Sequence, residues 1–72
     1  RYPIIVAQNP EGMLFSAPDF PGIEYETQVF QDGLRFMSVQ IEESVLTMPM
    51  PPMATPVGAV NVLPGQAVVF AG

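Results

Sequence analysis

The spacing of apolar residues changes period along the chain, and each change marks an element. Tyr2 to Ala7 is a short run rich in β-branched residues that ends in the turn formers Gln8-Asn9-Pro10-Glu11-Gly12. This predicts a strand and a hairpin loop. Met13-Leu14-Phe15-Ser16-Ala17 reads as the returning strand, and Pro18-Asp19-Phe20-Pro21-Gly22 stops it. In Ile23-Glu24-Tyr25-Glu26-Thr27-Gln28 the odd positions are mostly apolar and the even ones polar, the period of a strand with one face in water.

The period then becomes helical. Phe30, Leu34, Met37, Ile41, Val45 and Met48 form one stripe, which predicts a helix over residues 30–47 that Pro49 ends. Gly33 costs that helix about 1 kcal/mol against alanine, so packing has to supply its stability. A Met/Pro-rich connector follows over 48–58, too poor in backbone donors for a sheet. It is expected to strap across the sheet edge, with Met50 and Met53 filling gaps. Gly58 to Leu63 reads as a loosely paired stretch, Pro64-Gly65 as a turn, and Gln66 to Ala71 as a closing strand.

The order β-β-β-α-β predicts one α+β domain over residues 1–72: a four-stranded, mostly antiparallel sheet with one crossover helix on one face. Both alternating sets of the first two strands are apolar, and one helix covers only one side. The other side is expected to be an exposed apolar patch or to be covered by a partner.

Composition sharpens this expectation. At 72 residues the core is marginal, and the chain contains neither cysteine nor histidine to staple it with disulfides or zinc. Association with further copies is the remaining remedy, so a homo-oligomer, dimer or higher, is expected. Seven acidic residues against two basic ones give a net charge of −5, which disfavours nucleic acid and favours a basic protein partner. Hydrophobic residues make up 49%, enough to fold despite nine prolines and six glycines. The uncharged stretch from Ser44 onward is too broken by Pro and Gly to span a membrane, so no membrane partner is expected. Absence of cysteine is compatible with a cytoplasmic location.

The chemistry of catalysis is thinly represented. With no His, Cys or Lys, a serine nucleophile has no ordinary base beside it. Glycines at 12, 22, 58 and 65 do not combine into a phosphate-binding loop. Carboxylates remain: Glu24 and Glu26 share the polar face of a strand, while adjacent Glu42 and Glu43 lie about 100° apart on the helix and do not converge. A metal-dependent nuclease would have to use Asp19, Glu24 and Glu26. The expectation is no enzyme, no cofactor and no metal. The helix offers a different candidate: Phe36, Val39 and Leu46 lie away from the core stripe, interleaved with Asp32 and Glu43, with Glu42 beside them. These six are the candidate partner-binding residues.

The opening Tyr2-Pro3-Ile4-Ile5-Val6, a hairpin with Glu11-Gly12, the Pro18-Asp19-Phe20-Pro21-Gly22 segment, and an amphipathic helix followed by a proline-bearing connector together resemble the HicB antitoxin family over about residues 2 to 56. The resemblance implies a partial ribonuclease-H-like domain that oligomerises and inhibits a small basic HicA-type toxin, an mRNA-cleaving protein. In that family DNA binding belongs to an appended segment, so no nucleic acid is expected to bind through this chain alone. Val29 stands where the family usually has a capping Thr or Ser, and Gly33 where it usually has Ala. An orphan HicB-like homo-oligomer without a toxin is the alternative.

Overall fold

The computed structural model describes residues 1–71. Strands β1 (Tyr2–Asn9), β2 (Gly12–Ser16) and β3 (Glu24–Thr27) are followed by helix α1 (Phe30–Thr47), a 3-10 turn (Val57–Ala59) and strand β4 (Gln66–Ala71). The α+β arrangement and the β-β-β-α-β order are those the sequence predicts, and the helix bounds agree with the apolar stripe. The sheet order is β3-β2-β1-β4, with every neighbouring pair antiparallel.

The entry of β4 differs from a simple crossover. β3 runs in the same direction as β1, and α1 runs back, so a strand following directly would enter parallel to β1. Residues 48–65 reverse the chain once more, and β4 lies antiparallel to β1, with Tyr2 opposite Ala71 and Ala7 opposite Gln66. Within that segment, the expected loose pairing of Gly58 to Leu63 does not occur. Three of its donors bond locally instead: the Ala59 N–H to the Pro56 carbonyl (2.9 Å), the Val60 N–H to the Val57 carbonyl (3.3 Å) and the Leu63 N–H to the Gln66 side-chain oxygen (2.9 Å).

The core lies between α1 and one face of the sheet. Ile4, Val6 and Phe15 from the strands meet Met37 and Ile41 from the helix, with Ala17, Phe20 and Ala71 closing the ends. Burying each large side chain contributes about 1.5–3 kcal/mol. Gly33 belongs to this contact: a Cβ there would lie inside the Phe15 ring edge. The residue that weakens the isolated helix therefore lets α1 approach β2. The helix start has no side-chain cap at Val29, although the Thr27 hydroxyl accepts the Val29 N–H at 3.1 Å.

The connector is a strap, held differently from expectation. The Tyr2 hydroxyl donates to the Pro52 carbonyl at 2.6 Å, and Asp19 accepts from the Thr55 N–H at 2.9 Å and from the Thr55 hydroxyl. Tyr2 also meets Phe20 edge-on, with ring centroids 4.8 Å apart. Met50 and Met53 do not fill gaps; they are 87% and 91% exposed. An extended proline-rich segment has about three residues per turn, so Pro52 and Thr55 share the anchored side while Met50 and Met53 share another.

Candidate protein-interaction surface

Five of the six candidate residues of α1 are spaced 32, 36, 39, 43 and 46, alternating steps of four and three, which aligns them in one ridge, with Glu42 to one side of it. At about 100° per residue the ridge lies nearly opposite Ile41, the centre of the buried stripe. Asp32, Glu42 and Glu43 are exposed. Val39 and Leu46 are exposed as well, Leu46 to 78%. Exposed Arg35, four residues before Val39, lies on the Glu42 side and offsets one of the three negative charges.

Phe36 is placed differently from the other five. Its ring stacks on Tyr25 of β3, with centroids 4.3 Å apart and planes 16° from parallel, and it packs against the core as a half-buried residue. It joins the ridge to the sheet and offers a partner little more than its edge. The sequence hides this role, because the stacking partner lies in another element and outside the helical period.

Glu42 and Leu46 also line a shallow groove of about 240 Å³ with Arg1, Tyr2, Ile41 and Val45. The groove is largely apolar along its floor and carries a charge of each sign at its rim.

The sheet face away from α1 carries Pro3, Ile5, Ala7, Leu14, Val68 and Phe70, since paired residues share a face and successive residues alternate. Glu24 and Glu26 occupy the same face on β3 and are exposed. Among the described residues no second helix or sheet covers it. Pro3 is nevertheless buried, Ile5, Ala7, Leu14 and Val68 are half-buried, and Phe70 is 37% exposed. The face is thus apolar on β1 and β4 and bordered by acids on β3, but of its apolar residues Phe70 alone is exposed, and Thr55, Pro56 and Val57 lie beside it.

The carboxylates do not converge. Asp19 is bonded to Thr55, and Glu26 accepts from the Asn9 side-chain amide at 2.9 Å. Among the described residues no three His, Cys, Asp or Glu side chains are grouped to hold a metal ion, and no helix is long and apolar enough to cross a membrane. No family model, curated protein or solved structure matches this chain.

Proposed function

We propose that this chain is a non-catalytic interaction domain of the HicB antitoxin type, which covers and inhibits a small basic mRNA-cleaving ribonuclease of the HicA type. The observation that carries the reading is the exposed side of α1, where Asp32 and Glu43 of the ridge and Glu42 beside it stand exposed with Val39 and Leu46. Acidic side chains around an apolar centre suit a basic partner: the charges steer encounter, and the apolar residues are desolvated on docking. The Pro18-Asp19-Phe20-Pro21-Gly22 segment and the strap anchored to it supply the family resemblance. They hold the end of the sheet nearest the groove at Arg1, Tyr2 and Leu46.

The apolar sheet face away from α1 favours a second reading, a homo-oligomer that has no toxin partner. The experiment that separates the two mixes the purified chain with a small basic HicA-type ribonuclease. It follows complex formation by calorimetry and mRNA cleavage on a gel. The antitoxin reading expects a stoichiometric complex and loss of cleavage. Undiminished cleavage and no heat of binding would overturn it.

A further inference from the structure

Three of the five methionines of this chain fall within one short stretch, Met48-Pro49-Met50-Pro51-Pro52-Met53. The other two serve the fold: Met37 is fully buried, and Met13 packs against the core. Met48, Met50 and Met53 are 40%, 87% and 91% exposed. A domain this small has few apolar side chains to bury, yet it holds these in water on a single segment.

The backbone beneath them is stiff. Met48 and Met50 each precede a proline, which confines both to extended conformations, and the rings of Pro51 and Pro52 fix φ between Met50 and Met53. Met48 leaves α1 with φ −88° and ψ 130°. The chain bends at Pro49 and Met50 and runs extended from Pro51. Bonds that leave the thioethers free tie this segment down. The Met48 N–H donates to the Ser44 carbonyl at 3.0 Å, the Tyr2 hydroxyl holds the Pro52 carbonyl, and Asp19 holds Thr55. At three residues per turn, Met50 and Met53 share one side about 9 Å apart along the segment, and Met48 stands across the bend. Unbranched methionine side chains have the rotational freedom to converge over that distance.

We propose that Met48, Met50 and Met53 form a thioether site for a soft monovalent metal ion, Cu(I). Donor chemistry selects the ion. Thioether sulfur is a soft ligand that suits Cu(I), whereas Mg, Ca and Mn take oxygen donors and zinc takes thiolate, imidazole or carboxylate. This chain has no cysteine or histidine to compete for Cu(I). From Ser44 to Ala71 it also carries no charged side chain, so no carboxylate stands on the strap to hold a hard cation. The net charge of −5 adds a general attraction for any cation. Because the prolines and the anchors already order the backbone, little of its freedom is lost when the donors close on the ion. The inference requires no toxin and stands apart from the α1 ridge.

The test titrates the full chain, in chloride-free buffer, with Ag(I) as the redox-stable stand-in for Cu(I), and follows the methionine Cε methyl signals by NMR. Saturation at one ion per chain is expected, with Met48, Met50 and Met53 shifted and Met13 and Met37 unmoved. Competition against a chromophoric Cu(I) chelator then gives the affinity. Met50→Leu and Met53→Leu keep the apolar bulk and remove the sulfur, so a surface for an apolar partner survives them and a metal site does not. Each is expected to weaken Cu(I) binding by about tenfold or more, at least as much as loss of a group that only orients a ligand. Met13→Leu is expected to bind like the parent, and circular dichroism checks the fold of each variant. A thioether has no proton to lose, so the affinity is expected to change little from about pH 8 to about pH 5, where carboxylate or imidazole sites weaken. No saturable binding, any of the three strap methyl signals unmoved, leucine variants that bind like the parent, or Zn(II) bound as tightly as Cu(I) would overturn the proposal. Inhibition of the basic ribonuclease that persists in the leucine variants leaves the interaction-domain reading standing by itself, whichever way the metal titration falls.

Discussion

The ring of Phe15 on β2 occupies the space that Gly33 leaves open on α1. Phe15 is fully buried, and it sits between Val6 and Tyr25 in the sheet register, so the helix is docked over the centre of the three-stranded meander through this contact. The helix-weakening residue is the price of a closer core.

Two effects oppose one another in Gly33→Ala. Helix propensity favours alanine by about 1 kcal/mol. Overpacking against Phe15 costs about 1–3 kcal/mol and wins, because the ring is itself fully buried and the added Cβ would fall within its van der Waals radius. Urea denaturation is expected to show a lower midpoint for this variant. Gly58→Ala, where a Cβ meets nothing within 4 Å, is expected to change stability by less than about 0.5 kcal/mol.

The strap depends on a few long-range polar bonds. Asp19→Ala removes both acceptors of Thr55, and a hydrogen bond to a charged group contributes about 1.5–3 kcal/mol. Loss of this anchor is expected to raise amide exchange at Thr55 and to speed proteolysis across 48–58. The β1–β2 hairpin amides should change much less. Equal acceleration at both places would mean that the strap does not open separately.

Phe36 and Leu46 separate folding from recognition. The Tyr25–Phe36 stack is expected to give a coupling of about 0.5–1.5 kcal/mol in a double-mutant cycle measured by thermal unfolding. Leu46→Ala, at a position 78% exposed, is expected to leave stability within about 0.5 kcal/mol while slowing no folding step. On the proposed function it weakens ribonuclease binding through faster dissociation. Identical unfolding curves for the Tyr25→Leu, Phe36→Leu and double variants would remove the stack from the account of the fold.

Glu42→Gln and Glu43→Gln test electrostatic steering in the same complex. Both carboxylates are exposed, so their field acts at long range and is screened by salt. The double variant is expected to associate more slowly at low ionic strength and to converge on the parent rate at high salt. An association rate that ignores both the substitutions and the salt would show that these acids do not guide the partner.

Much of the architecture is legible in short stretches of sequence. The helical period of Phe30, Leu34, Met37, Ile41 and Val45 and the stop at Pro49 define α1, and the alternation around Glu24 and Glu26 places those acids on the open face. These are local signals, because side-chain direction repeats with the geometry of a single element. The exposed placement of Asp32, Val39, Glu42, Glu43 and Leu46 follows from the same periodicity.

Other features needed contacts between residues distant in the chain. Gly33 is costly when its own helix is considered and necessary when Phe15 is brought against it. Phe36 leaves the apolar ridge because Tyr25 lies across from it, and Met50 and Met53 face outward because Tyr2 and Asp19 hold the strap by Pro52 and Thr55. The direction of β4 likewise depends on where segment 57–65 finds room to return. Sequence by itself determined the elements, their apolar stripes and the uneven distribution of charge. Tertiary structure decided which apolar residues those stripes spend on one another, because packing brings together atoms that no local period relates.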